Sequence, residues 1–441
     1  MQSRSVTPMR RIAAACLVGS AIEFYDFLIY GTAAALVFPT VFFPHLSPTL
    51  ATVASLGTFA SAFVSRPIGA ATFGYFGDRL GRKKTLIVTL LFIAVATVSV
   101  GVVPSTAAIG TAAPMILIAL RLLQGFAVGG EWAGSALLSA EHAPEGRRGW
   151  YGMFTLLGGG TAGVLSSLTF LGVNFSIGEN SPAFMEWGWR IPFLISAALI
   201  GIALYVRLRI DETPVFAEEK ARNLVPTAPI AELLRLQRRE ILLAAGSILG
   251  GFGFAYMGNT YLTVYAHSHL GYTRGFIWAI GALGGLASIA SVVLSASLCD
   301  RVGRRRMMLV GWAGCMPWAF VVMPLMDTGK PALYAVAIVG MSAINGIGSG
   351  PTGAFIPELF ATRYRYSGSA LAINLAGILG GALPPLIAGT LQATYGSWAI
   401  GPMLAILALA SLVCTYLLPE TKGTALESPR GAGVAGVSTG G

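Results

Sequence analysis

A chain of 441 residues that is 55% hydrophobic and only 11% charged departs far from soluble domains, where charged residues make up about a quarter of positions, and this excludes a soluble globular protein. The net charge of +10 would suit nucleic acid, but the lysines and arginines stand at the ends of apolar segments with glycines at fixed offsets, which excludes that partner and makes the charge a topology signal. Cys16, Cys299, Cys315 and Cys414 lie singly within or at the ends of apolar segments, without the paired spacing of a metal site, and are read as packing residues.

Apolar stretches of about 20 residues recur along the chain, each able to cross a hydrocarbon core of roughly 30 Å at ~1.5 Å rise per residue. No stretch alternates as barrel strands do, so the class expected is all-α membrane protein. Twelve spans are predicted near 12–38, 51–75, 85–104, 112–139, 151–173, 190–208, 241–265, 275–298, 307–326, 331–357, 366–391 and 397–418. The first follows Arg10 and Arg11 as a signal peptide would, but it carries Glu23 and Asp26 and lacks a small-residue cleavage site, so it reads as an uncleaved helix. The second carries Arg66 and the fourth Arg121 and Glu131. His267 and His269 fall at the end of the seventh and read as a solvated loop.

An even number of spans puts both termini on one side. Of the 29 lysines and arginines, all but five sit in the termini and in alternate loops on that side, and the opposite loops hold only Arg190, Arg274 and Lys330. By the positive-inside rule the rich side is cytoplasmic, giving a multi-pass protein of the plasma (inner) membrane with both ends inside. The longest internal polar segment separates an N-terminal six-helix bundle, 1–210, from a C-terminal one, 241–420, with a cytoplasmic linker at 211–240 and a disordered tail at 421–441. Three motifs recur across that divide. Gly77-Asp78-Arg79-Leu80-Gly81-Arg82 after the second span answers to Cys299-Asp300-Arg301-Val302-Gly303-Arg304 after the eighth. Glu141 and Arg148 after the fourth answer to Glu358 and Arg365 after the tenth, and Glu212-Thr213 after the sixth answers to Glu420-Thr421 after the twelfth. Repeats at equivalent ends of equivalent helices indicate two homologous halves.

Further motifs are Glu23-Phe24-Tyr25-Asp26-Phe27-Leu28-Ile29-Tyr30-Gly31, Arg66-Pro67-Ile68-Gly69, the run from Arg121 to Trp132 that includes Gln124-Gly125 and Gly129-Gly130-Glu131, and Trp187-Gly188-Trp189-Arg190-Ile191-Pro192-Phe193. Together with the DRxGR repeats, this ordered set resembles the major facilitator superfamily over nearly the whole chain. Within it the resemblance extends to the metabolite:proton symporters, the branch of proline/betaine, α-ketoglutarate, shikimate and citrate carriers, with the sugar porters as relatives. The resemblance implies twelve helices in two pseudo-symmetric bundles and proton-coupled symport of a small polar metabolite by alternating access, with protons as the coupling ion and no other cofactor. It also implies a chain that works as a monomer, with the bilayer, the substrate and protons as its partners. The charged tail of osmosensing betaine carriers is absent.

Ionisable residues inside a bilayer cost at least ~2.5–3.5 kcal/mol each and need partners or a function. From the assumed helix starts, Asp26 lies about 21 Å into the first span and Arg121 about 14 Å into the fourth, at similar height, while Arg66 and Glu131 both fall in the inner half. Two pairings are therefore expected, Asp26 with Arg121 and Arg66 with Glu131. In proton-coupled sugar porters a matching aspartate takes up the proton and a matching arginine modulates its affinity, so the resemblance assigns coupling to Asp26 and Arg121. Glu23, near Asp26 on the same helix, is a second carrier or a substrate contact. The substrate-lining candidates are Tyr25, Tyr30, Gln124, Tyr261, Tyr265 and Asn345. A cytoplasmic gate is expected from Gly77, Asp78, Arg82, Glu141, Arg148 and Glu212 in one half and from Asp300, Arg304, Glu358, Arg365 and Glu420 in the other. Neither a nucleotide-cradling G-x-x-x-x-G-K-[ST] nor an HExxH motif is present, and the one G-x-S-x-G string, at Gly436–Gly440 in the tail, is no strand-to-helix elbow, which argues against a pump or an enzyme. A non-transporting sensor on the same scaffold, or a sugar-type symporter, is the alternative.

Overall fold

The computed structural model describes residues 9–423 apart from 81, 130, 145, 179–180, 209–228 and 362–364, with residues 74–75, 77–80, 82–83, 132–133, 140–141, 207 and 229–231 described by their backbone alone. Among the described residues there are helices and connecting turns and no strand. The membrane-crossing units are α1 (Met9–Leu36), α2 (Pro48–Leu80), α3 (Arg82–Val102), α4 in two pieces (Ala112–Val128 and Glu131–His142), α5 (Arg148–Ile177) and α6 (Ile191–Leu208). They continue with α7 in two pieces (Arg238–Asn259 and Tyr261–Ser268), α8 (Arg274–Val302), α9 (Arg304–Asp327), α10 in two pieces (Pro331–Ser349 and Thr352–Glu358), α11 (Arg365–Ala376, then Leu383–Tyr395) and α12 (Ile400–Leu417). Eleven of them are long and apolar enough to cross a bilayer, and the remaining one, α4, has its apolar piece at Ala112–Val128. The expected spans are therefore all present. Within the 211–240 linker segment a helix occupies Pro229–Leu236, and α7 starts at Arg238. The rest of that linker and residues 424–441 of the tail lie outside the described residues.

Apolar surface outside these helices faces lipid, so packing between them is set by close approach of small residues rather than by a hydrophobic drive. The α2–α4 crossing illustrates this. A Cβ on Gly125 would stand 1.9 Å from the Ala62 carbonyl oxygen, one on Gly129 2.1 Å from that of Arg66, and one on Gly69 1.8 Å from that of Phe126. Three glycines thus let two backbones touch, which explains the glycines of the Arg66-Pro67-Ile68-Gly69 and Gln124-to-Glu131 motifs in steric terms. The buried apolar residues gather into two large clusters. One is built from residues between Leu233 and Leu418, and the other from residues between Tyr25 and Phe193 with Tyr256, Val264, Trp278 and Ala382 added.

Several helices are interrupted. α4 breaks after Val128 and α10 after Ser349, at comparable depths. α7 breaks at Thr260, and α11 passes through a π turn over Gly377–Ala382. Interrupted helices at membrane depth are tolerated where their freed backbone groups are buried in protein or line a cavity.

Candidate transport site

Asp26 is fully buried on α1. Its carboxylate accepts from the Thr97 hydroxyl of α3 at 3.1 Å and from the Ser196 hydroxyl of α6. Thr97 in turn accepts from the Gln124 amide at 2.9 Å, and the Gln124 carbonyl accepts from the Arg121 guanidinium. The expected partnership of Asp26 and Arg121 therefore exists, but as a string through Gln124 and Thr97 rather than a direct pair. Arg121, also fully buried, lies 3.9 Å over the Tyr30 ring and 4.4 Å over Phe27. These ring faces offset part of the cost of a buried cation.

Arg66 is placed differently from the expectation. Its guanidinium lies over the rings of Phe27 at 4.4 Å and Phe63 at 4.3 Å and faces the Tyr256 hydroxyl of α7. With Glu23 it lines a small cavity of about 20 Å³ that Glu131 does not line; Glu131 stands instead within electrostatic reach of Asp26. Depth arithmetic set Arg66 and Glu131 at workable heights but carried no azimuth, and the cavity that Arg66 lines is shared with Glu23. Pro67 follows Arg66 inside α2 and withholds the N–H that would bond the Phe63 carbonyl, loosening the helix at this point.

A central cavity of about 220 Å³ adjoins this cluster, walled by Phe24 and Leu28 of α1, several small residues of α5, and α7, α8, α9 and α10. Three buried polar atoms on its walls have no hydrogen-bond partner among the described residues: the indole N–H groups of Trp278 and Trp312, and the Asn345 carbonyl oxygen. Leaving such groups unmade is costly, and convergent polar groups in an otherwise apolar cavity are the mark of a ligand site. Its volume falls below the roughly 300–1,000 Å³ of drug-sized sites, so it suits a metabolite.

On the side bearing the basic loops, Asp300 at the end of α8 accepts from the Gly149 and Trp150 amides that begin α5, at 2.9 and 3.0 Å. The carboxylate thus caps a helix of the other half, where the helix dipole favours it. Arg304 pairs with Asp300 at 3.5 Å and with Glu358 at 3.0 Å. Glu420 accepts from the Arg304 and Arg305 amides at 2.9 and 3.2 Å, and Arg365 donates to the Pro357 carbonyl at 3.1 Å. On the opposite side Arg274 reaches the Leu36 carbonyl at 3.2 Å. Contacts between the halves thus exist on both sides of the cavity.

The family model of the major facilitator superfamily matches residues 22–373. The chain belongs to the major facilitator superfamily. Among curated relatives, the inner membrane metabolite transport protein YhjE of Escherichia coli is 39% identical over 427 residues, covering 96% of each chain. The shikimate transporter of Escherichia coli is 34% identical, covering 89% of this chain and 90% of its own. The proline/betaine transporter of Salmonella typhimurium is 30% identical, covering 95% and 85%. Among solved structures, the xylose transporter XylE from E. coli in a partially occluded inward open conformation superposes with a TM-score of 0.72 at 19% identity, covering 95% of this chain and 99% of that one. This major facilitator protein is therefore a multi-pass membrane transporter of metabolites and not an enzyme.

Within this major facilitator fold, only one of the six substrate-lining candidates, Asn345, borders the central cavity. Tyr25 donates to the Pro192 carbonyl at 3.2 Å, Tyr30 to Thr58 at 2.8 Å and Tyr265 to Asp327 at 2.5 Å. Tyr261 is buried in the C-terminal core, and Gln124 belongs to the string to Asp26. His269 stacks on Tyr265 with ring centroids 4.8 Å apart, and His267 contacts the Tyr272 carbonyl, so neither is simply solvated. Of the gate residues, Asp300, Arg304 and Glu358 meet directly, while Glu420 and Arg365 hold neighbouring backbone. Arg148 begins α5, within electrostatic reach of Glu358. Gly77, Asp78, Arg82 and Glu141 lie on helices whose side chains there are outside the described residues, as is Glu212 altogether. Sequence reading missed Tyr256, Trp278 and Trp312. Tryptophans concentrate at membrane interfaces, so one well inside a span was a usable signal. Thr97 and Ser196 gave none, since a neutral hydroxyl in a helix is unremarkable.

Proposed function

We propose that this chain is a secondary transporter that moves a small polar metabolite through the central cavity by alternating access, in symport with protons taken up at Asp26. The observation that carries the coupling is the buried string from Arg121 through Gln124 and Thr97 to Asp26. It gives a carboxylate and a guanidinium a connection that a shift of α4 against α1 can shorten or break. Burial favours the protonated carboxyl and an approaching guanidinium the ionised one, so such a shift converts helix movement into proton capture and release. The bundles 1–210 and 241–420 rock about the cavity, joined by the 211–240 linker, with both termini on the cytoplasmic face of the inner membrane. Protons serve as the coupling ion without another cofactor, and a single chain suffices. Relatives named for shikimate and for proline and betaine transport support a small metabolite carrying a carboxylate.

The test is uptake by proteoliposomes with Asp26→Asn. The variant is expected to lose uphill accumulation under an inward proton gradient while retaining substrate exchange. Accumulation equal to the parent chain would remove Asp26 from the coupling role.

A further inference from the structure

The central cavity offers neutral polar groups only, so any charge on the substrate must be met at its edge. Two buried guanidiniums are near. Arg121 is fully buried, donates to Gln124 and lies against Tyr30 and Phe27; its Nε and Nη2 have no hydrogen-bond partner among the described residues, but it lines neither cavity. Arg66 is 6% exposed, its Nε has no hydrogen-bond partner, and it lines the small cavity whose walls Phe24, Phe252 and Ile373 are shared with the central one. Tyr256, on the wall of the larger cavity, faces Arg66 as well. Aromatic rings engage the flat face of a guanidinium. Phe27 and Phe63, whose rings stand at 87° to each other, hold the cation through their π faces, and the N–H groups of a guanidinium are what bind a carboxylate through two parallel hydrogen bonds.

We propose that Arg66 receives a carboxylate of the transported molecule at the edge of the central cavity, which restricts the substrates to small organic acids and amino-acid zwitterions. The inference rests on the transport reading above. The groups around that carboxylate are Glu23 of α1 in the same small cavity, Tyr256 of α7, Asn374 of α11, and beyond them Arg121, Asp26 and Glu131. Two carboxylates sharing so small a space repel. The bound acid therefore relies on Arg66 to offset Glu23, and removing the guanidinium leaves it facing that carboxyl group alone.

The experiment uses the full chain in proteoliposomes with shikimate, L-proline, glycine betaine and 2-oxoglutarate as acid probes, and methyl shikimate and xylose as probes without a carboxylate. At least one acid should accumulate, at least tenfold above both uncharged probes. Arg66→Gln should abolish that uptake, and Arg66→Lys should keep the preference for acids at reduced rate. Thermal unfolding in detergent separates a folded variant from a lost one. Should Arg66→Gln fail to fold, the parent protein alone decides: an excess of a second carboxylate probe should block uptake of the accumulated acid, and the same excess of methyl shikimate or xylose should not. Uptake of xylose or methyl shikimate matching that of the acids, acid uptake unchanged in a folded Arg66→Gln variant, or block of acid uptake by the uncharged probes would each overturn the proposal while leaving transport standing. Failure of every probe to enter would overturn the transport reading along with it.

Discussion

Phe27 stands between two cations. Both Arg66 and Arg121 lie 4.4 Å over its ring, and desolvated cation–π contacts are worth up to about 2 kcal/mol each. Phe27→Leu preserves bulk but removes the π face, so it should lower thermal stability by about 1–3 kcal/mol and impair uptake; a variant with the parent's unfolding temperature and rate would contradict this. Thr97 and Ser196 touch Asp26 and not the cavity. Thr97→Val is therefore expected to reduce uphill accumulation about fivefold to tenfold, the equivalent of roughly 1 kcal/mol for one hydrogen bond, with substrate affinity unchanged within twofold by equilibrium binding. A parallel loss of affinity would place Thr97 in the substrate site instead. Residue identity was legible from sequence wherever a charge was unaffordable in lipid, as for Asp26, Glu23, Arg66, Arg121 and Glu131. Their partners were not, because rise per residue gives depth along a helix while contacts depend on rotation about it. Tyr25, Tyr30 and Tyr265 show the same limit: each is polar and aromatic within a span, and each spends its hydroxyl on a structural bond.

At the scale of elements, α2 and α4 are held by backbone contact through Gly69, Gly125 and Gly129. Gly125→Ala would put a methyl 1.9 Å from the Ala62 carbonyl oxygen and force the helices apart, at a cost of about 1–3 kcal/mol or more for overpacking. A clear fall in unfolding temperature in detergent is expected, and an unchanged one would contradict the crossing described. The same separation would shift Arg121 and Arg66, so the surviving protein should also transport poorly. Asp300 ties α8 to the start of α5. Asp300→Ala removes two charge-assisted bonds, each worth about 1.5–3 kcal/mol, and should open the basic side more often. In a background without the native cysteines, a cysteine at Ser349, on the cavity wall, should then react at least fivefold faster with an impermeant thiol reagent added from that side; equal rates would show that the cap bears no part of the closure. The twelve helices were legible because apolar length is a strong signal. The break in α4 was half legible, since it follows Val128 at Gly129, whereas Thr260 interrupts α7 with no local marker.

For the whole molecule, the repeated motifs foretold two halves, and the two separate apolar clusters agree with that division. Between them lies a cavity whose polar atoms await partners, flanked by contacts on both sides that a transporter must break in turn. In the symport proposed for it, the proton and the metabolite cross together. The measurement that tests this most directly is accumulation of the acid probes in proteoliposomes under an imposed inward proton gradient, with and without a protonophore. The account predicts concentration above the outside level that collapses to equilibration when the protonophore is added. Accumulation indifferent to the gradient and to the protonophore would contradict it.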